Sequence, residues 1–450
     1  MVDDPPHPCH TRRAVMSSYG VGVPASSIDC VAPSDAGDAW TARHFPGCSM
    51  SSPSTCGDAD LIILGGGCAG LSLAANLADA RTSLRVIVVE PRTTYHEDRT
   101  WCGWRLVPHA FADCVVASWN RWQVATPAGV IERNSAHYPY EMIRADLFYE
   151  RAFRAIDRHP AMSFLAGRSA EHLTETANHV EVALSDGSTL SAPWIIDTRP
   201  PRRPIERPWL WQTFVGFVVE PDMPAGARFG SVPILMDFQP PDQAVAHFMY
   251  ILPAGDGRFL CEWTRFSTSP DQLEDIEASL RAWLQEHAGA GWTLHRREQG
   301  SLPMALFPAD AAGRIVAAGT RGGSLRASTG FAFHAIQRWA ASCSASLQAT
   351  GLPLRPPRNR MLDSMDAIFL EVLHEPSNSA MEVFRRLFEE CPPDALVRFL
   401  AGMPHSSDLW PIIRSLPWGR FLRAAPSAIR SQMHVRTAPG RYRSLSRRWP

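Results

Sequence analysis

The chain has 450 residues, 45% of them hydrophobic and 20% charged, which excludes a mostly disordered or collagen-like protein and leaves room for two or three domains around a large core. The formal net charge is −1, so bulk electrostatics predicts no nucleic-acid partner. All 44 basic residues are arginine, and residues 414–450 hold nine of them (Arg414, Arg420, Arg423, Arg430, Arg436, Arg441, Arg443, Arg447, Arg448) without one acid.

The ten cysteines form no CxxC pair, so a disulfide scaffold, a zinc site or any other metal centre is not expected, and a reducing cytosol is the default compartment. No run reaches the roughly 18 apolar residues of a membrane span. No apolar stretch near the N-terminus reads as a signal peptide. Residues 1–57 are rich in Pro, Ser, Gly, Cys and Asp without hydrophobic periodicity and read as a disordered leader. Met50 stands just before the first strong strand, so an over-long reading frame and a real extension both stay open for residues 1–49.

In chain order, Asp60 to Leu64 is a short apolar run of buried-strand type, followed by Gly65-Gly66-Gly67-Cys68-Ala69-Gly70 and a helical stretch from Leu71 to Ala80. Leu84 to Val89 is a second β-type run ending in Glu90, which completes a βαβ unit. Arg144 to Arg158 has the apolar spacing of an amphipathic helix. His179 to Leu184 and the residues after Asp186-Gly187 read as a hairpin leading to the buried run Trp194 to Asp197. Strands are expected at Gln212–Glu220, Ile234–Phe238, Ala246–Leu252 and Phe259–Thr264, then a helix over Asp271–Glu286. Arg314 to Gly319 is a further apolar strand, before a glycine-rich loop and a helix from about Ala332. After Pro357 the pattern turns to short amphipathic helices.

Gly65-x-Gly67-x-x-Gly70 follows a strand, opens a helix, and has Glu90 twenty positions after its last glycine. The first glycine makes a tight turn, the second lets a pyrophosphate approach the backbone, and the third lets helix and strand pack. The helix N-terminus then faces the phosphates, and Glu90 accepts from the adenosine ribose. Position leans to FAD over NAD, because flavoenzymes often open with this unit and return to the flavin in their C-terminal third. The loop Gly319 to Gly330 suits that return, although Thr320 stands where many flavoproteins carry aspartate.

Asp98-Arg99-Thr100-Trp101-Cys102-Gly103-Trp104 resembles the segment that follows the dinucleotide fold in lycopene cyclases, the flavin-dependent carotenoid cyclases of bacteria and plants. Gln212 to Gly216 and Leu235-Met236-Asp237-Phe238 resemble that family's central strands. Phe248 to Pro253 and Phe259-Leu260-Cys261-Glu262-Trp263-Thr264 resemble its catalytic segment. Glu298 to Met304, then Gly322-Gly323 to Ser328-Thr329-Gly330-Phe331, are similar to its closing flavin motifs, and Arg398-Phe399-Leu400 to its C-terminal helices. The motifs run in family order over about 58–425. Two positions depart: Gly103 replaces an aromatic, and Trp263 replaces the second acid of a carboxylate pair.

The resemblance implies an α/β protein, α+β overall: a Rossmann-like FAD-binding domain (58–145 and 300–355), an inserted β-rich substrate domain (146–299), C-terminal amphipathic helices (356–425) and a basic tail (426–450). It implies FAD in its reduced form with NAD(P)H as reductant, and lycopene or a related acyclic carotenoid as substrate. The implied reaction closes β rings at the ψ ends with no net redox change, an isomerase (intramolecular lyase) step of carotenoid biosynthesis. A proton adds at C2, the C5=C6 bond attacks the cation at C1, and a proton leaves C6. Protonating an alkene takes a carboxylic acid kept neutral in an apolar pocket, and Glu262 fits, set among Phe259, Leu260, Trp263 and Phe266. Its bland alternative is a strand glutamate facing solvent. Asp237 is a second buried-acid candidate, Arg99 a flavin contact, and Trp263, with Trp101 and Trp104, a cation-stabilising aromatic. The flavin set implied is Gly65, Gly67, Gly70, Glu90, Arg99, Gly319, Gly322, Gly323, Thr329 and Gly330. An insoluble substrate implies docking on the cytoplasmic membrane from the cytoplasm, with the C-terminal helices and arginines as tools. An FAD-dependent oxidoreductase of the prenyl-reductase or hydroxylase type is the alternative; ring type, number of ends cyclised and homo-oligomeric state stay open.

Overall fold

Strands that are apolar on both faces persist only where both faces are covered, and the first two apolar runs fold accordingly. In the computed structural model, β1 (Leu61–Leu64) and β2 (Val86–Glu90) pair in parallel, fully buried, joined by α1 (Cys68–Asp79). The structure describes Arg43–His44 and residues 58–437, apart from 201–208, 223–228, 239–245, 270–271, 289–290, 308–312 and 375–378. Except for Arg43–His44, which pairs with Thr94–Tyr95, the expected leader lies outside the described residues, as does the tail beyond 437.

β3 (Thr100–Trp104) and β4 (Val115–Trp119) precede a hairpin of β5 (Arg121–Thr126) and β6 (Gly129–Asn134). β7 (Tyr140–Arg144) pairs antiparallel with both β3 and β4 and runs into α2 (Ala145–Asp157). β8 (Met162–Ala166) joins β2, a three-stranded antiparallel sheet fills 170–192, and β9 (Trp194–Asp197) joins the free side of β1.

Five strands then build most of a second sheet: β10 (Trp209–Pro221), β11 (Ile234–Phe238), β12 (Ala246–Gly255), β13 (Arg258–Ser267) and, after α3 (Leu273–His287), β14 (Trp292–Ala305). β15 (Ile315–Ala317) returns to the first sheet, whose order is β8-β2-β1-β9-β15, all parallel. The second sheet has the order β14-β10-β13-β12-β11-β5-β6. Pro303 falls in β14, an edge strand, where its missing N–H leaves no ladder bond unmade. The remaining helices are α4 (Phe333–Thr350), α5 (Arg360–Leu373), α6 (Ser379–Glu390), α7 (Pro393–Leu400), α8 (Leu409–Ser415) and α9 (Trp418–Thr437). The sequence boundary at 425/426 falls inside α9, which continues through Pro426.

Two cores follow from strand alternation. Under the parallel sheet, α1, α2 and α4 bury Leu71, Phe148, Phe153 and Trp339. The large sheet is covered on both faces. Val215, Met249, Cys261 and Trp263 meet Ile276, Leu280 and Trp283 of α3. Phe248, Leu252, Leu260 and Phe266 meet Leu370, Val383 and Leu387 of α5 and α6. Neighbouring residues of β13 therefore serve opposite layers.

Candidate active site

The turn between β1 and α1 is shaped by what a side chain would strike. A Cβ on Gly65, whose φ is +104°, would lie 2.5 Å from Thr198 Oγ1, and one on Gly70 would overlap the Gly65 carbonyl oxygen. Gly67 differs: nothing lies within 4 Å of its Cβ position. It starts α1 with no side-chain cap and no acid in the first turn, so free N–H groups face open space. Glu90 Oε2 accepts the Gly66 N–H at 2.5 Å, and its Oε1 pairs with Arg92 at 3.0 Å. Oε1 also accepts the Arg92 backbone N–H at 3.1 Å, so Glu90 holds the turn with most of its acceptor capacity.

Arg99 lies on this side of the molecule. It pairs with Asp98 at 2.7 Å, and its charge reaches the Cys68 thiol at the start of α1. Burial raises the Asp98 carboxyl, but Arg99, Arg92 and the Tyr149 hydroxyl outweigh it and hold the group below the usual carboxylate range. The return loop closes the same end: a Cβ on Gly319 would stand 3.0 Å from Ala69 Cβ, and one on Gly322 2.6 Å from Ala317 O. Gly323 faces open space, and Thr329 Oγ1 accepts the Phe331 N–H at 3.4 Å. A Cβ on Gly330 would meet Gln212 Oε1 at 2.5 Å, so this loop also touches the large sheet. Arg321, next to Thr320, binds the buried Asp197 at 2.6 Å and ties loop to strand.

The acid site lies on the face of the large sheet turned toward β3. Cross-strand register puts Tyr250, Glu262, Gly216 and Glu298 in one row over β12, β13, β10 and β14. A Cβ on Gly216 would meet Glu298 Cγ at 3.0 Å and Glu262 Cβ at 3.5 Å; the glycine makes room for both carboxyls. Glu262 is partly buried and accepts the Thr264 hydroxyl at 2.7 Å. Desolvation, then the Glu298 charge, push its pKa up to about 8 against the smaller opposing effect of Thr264. Glu298 is buried and takes Arg296 Nη1 at 2.5 Å and the Thr100 hydroxyl at 2.9 Å. Arg296 continues to Glu97 at 3.0 Å, and Glu97 to Arg144 at 3.2 Å.

β3 spans both sites. Its even residues face the large sheet: Thr100 binds Glu298, Cys102 neighbours Tyr250, and Trp104 packs 4.8 Å from Tyr140. Tyr140 and Tyr250 share a hydrogen bond of 2.7 Å. The odd residues turn away, Trp101 toward Phe148 and Phe333, Gly103 toward His334.

The sequence expectations divide accordingly. Glu262 sits in the carboxylate row of the large sheet, and the glycines and Arg99 gather about the β1–α1 turn and the loop that returns to it. Trp263 does not join Glu262: adjacent strand residues point oppositely, and its ring is packed 5.6 Å from His247 in the α3 layer. Asp237 is paired across the sheet with Met249, on the Trp263 side, and is no partner for Glu262 either. Tyr140, Tyr250 and Glu298 were not singled out, because cross-strand pairing alone brings them to Glu262.

A cavity of about 620 Å³ opens beside β3, with Trp104, Leu325, Phe331, His334 and Leu362 among its lining. Glu262 is not in that lining; Trp104 links the cavity to the tyrosine pair. Among the described residues, His109, Glu141 and His334 bring metal-ligand atoms within 4.8 Å of one another. Arg105 and His109 already occupy both Glu141 oxygens, at 2.5 and 3.2 Å. Burial, then His109, push His334 down to about 4.

A parallel sheet opening on a glycine turn, with a large and mostly antiparallel sheet beside it, is a Rossmann-type α/β fold. The fold is similar to that of a flavoprotein/dehydrogenase from Cytophaga hutchinsonii, at 13% identity over 83% of this chain and 99% of that one, with a TM-score of 0.51. The family model described as lycopene cyclase protein matches residues 60–425, and the chain belongs to that family. It is 26% identical to the lycopene beta-cyclase of Pantoea ananas over 80% of this chain and 94% of the relative. It is 28% identical to that of Pseudescherichia vulneris over 66% of this chain and 76% of the relative.

Proposed function

We propose that this chain is a lycopene beta-cyclase in which Glu262 is the proton donor. The observation that carries the reading is a carboxyl set on the sheet face where Tyr250, Tyr140 and Trp104 gather, and burial there pushes its pKa up to about 8. Glu262 gives its proton to C2 of a ψ end group. The aromatic faces favour the cation at C1, the C5=C6 bond closes the ring, and loss of the C6 proton leaves a β ring of unchanged mass.

The residues fit FAD. The open position at Gly67 and the uncapped N–H groups of α1 suit its pyrophosphate, Glu90 its ribose, and Arg99, Gly319, Gly322, Gly323, Thr329 and Gly330 the rest of the cofactor. When bound in its reduced form, with NAD(P)H as reductant, the flavin supplies an electron-rich ring that favours positive charge nearby. The discontinuous nucleotide domain, the substrate domain over 146–299 and the C-terminal helical region are part of the same reading.

No described helix is long and apolar enough to cross a membrane. α8 and α9 leave Trp410, Trp418 and Leu422 exposed, interspersed with Arg414, Arg420 and Arg423. That pattern supports docking on an anionic membrane surface from the cytoplasmic side, where an insoluble carotenoid resides. Trp104, shared by the cavity and the tyrosine cluster, supports a route for the polyene from cavity to acid.

The test is expression in a bacterial host that accumulates lycopene, with pigments resolved by chromatography and mass. A β-ringed product of unchanged mass, absent with Glu262→Gln that keeps its flavin, is the expected result. A product of altered mass would favour the oxidoreductase alternative and overturn the proposal.

A further inference from the structure

The acid site holds a second carboxylate that ring closure as described does not use. Glu298 is buried, and Arg296 and Thr100 hold its Oε2. Its backbone is fixed opposite Gly216, in the row that carries Glu262 on the other side. A Cβ at 216 would lie 3.0 Å from Glu298 Cγ and 3.5 Å from Glu262 Cβ, so both side chains border the space that the glycine leaves. Glycine inside a central strand forgoes packing and costs backbone entropy, and the space it opens is taken by two acids.

We propose that Glu298 is a positioning residue: anchored by Arg296 and Thr100 across Gly216, its carboxylate makes the two glutamates share one proton, and that proton resides on Glu262. Two carboxyls that border one glycine-sized space in the same cross-strand row do not both ionise readily. The asymmetry comes from the partners. Glu298 has a guanidinium, whereas Glu262 has only the Thr264 hydroxyl. The other groups facing Glu262 are Tyr250 on β12, Cys102 on β3 and Tyr140 on β7, all pushed upward by burial and silent near neutral pH. Arg296 is the cation of the cluster.

The proposal rests on Glu262 as the acid, and the experiment separates the two claims. Full-length wild type, Glu262→Gln, Glu298→Gln and Glu298→Asp are loaded with flavin, and initial rates on lycopene in lipid vesicles are followed against pH. Glu262→Gln is expected to be inactive throughout. Glu298→Gln is expected to stay active at low pH while its alkaline midpoint moves down by on the order of one pH unit. Glu298→Asp keeps the charge one methylene further back and gives a smaller shift in the same direction. A lower rate in Glu298→Gln with an unmoved midpoint would mark a structural role and overturn the proposal alone. If the glutamine variant does not fold, an unmoved midpoint in Glu298→Asp does the same. An active Glu262→Gln overturns the acid assignment and this proposal with it.

Discussion

Glu262→Gln makes the protein more stable than wild type, by a margin that grows as pH rises. The carboxyl titrates near 4.5 when unfolded and near 8 when folded. Below the lower value both states hold the proton and the difference vanishes. Between the two values the folded state keeps a proton that the unfolded chain has released, so wild-type stability drains away as pH climbs and the loss is complete above about 8. At about 1.4 kcal/mol per pH unit, that interval amounts to about 5 kcal/mol. Glu262 is only partly buried, and solvent screening brings the expectation to roughly 2–4 kcal/mol. Glutamine has no such titration. Thermal melts of the flavin-loaded proteins, in steps from about pH 5 to about pH 9, should show the difference in melting temperature widening by a few °C; titrating groups that are not coupled to Glu262 cancel in the difference. A constant difference across that range would mean that no proton is held on Glu262, and the case for it as donor would fall.

Gly67→Val should lose flavin, measured by absorbance, while the apoprotein melts as before, because nothing lies within 4 Å of the new Cβ. Gly70→Ala should instead lower the melting temperature outright, since its Cβ overlaps the Gly65 carbonyl. Trp263→Phe, on the α3 face, should retain more than half of the cyclisation rate, whereas Tyr250→Phe, which breaks the bond to Tyr140, should lower it several-fold. Trp410→Ser with Leu422→Ser should weaken sedimentation with anionic vesicles at least tenfold, leaving flavin content unchanged; equal binding would remove α8 and α9 from the membrane contact.

The nucleotide end was readable because its chemistry is local. Turn, helix start and Glu90 lie within one βαβ unit; Gly70 answers to Gly65, Gly65 to Thr198 at a strand end, and Gly67 to open space. Ile234–Phe238 folded within the range its apolar run indicated. β14 escaped notice because Arg296, Arg297, Gly300 and Pro303 hide its alternation; an edge strand tolerates all four. Glu262 was legible as an acid in an apolar strand. Trp263 was misassigned because proximity in sequence is opposition in a strand, a consequence of the pleat that motif matching ignores. Glu298 was legible only as the start of a flavin-motif segment, since its place beside Glu262 lies in register across β10.

Every single-base replacement that turns a glycine codon into another amino acid's adds a Cβ. At position 216 that atom would press on Glu298 Cγ at 3.0 Å and touch Glu262 Cβ at 3.5 Å. One nucleotide change there disturbs the glutamate pair. Variants selected for loss of cyclisation are therefore expected to include changes at codon 216 alongside those at 262, with the protein still folded.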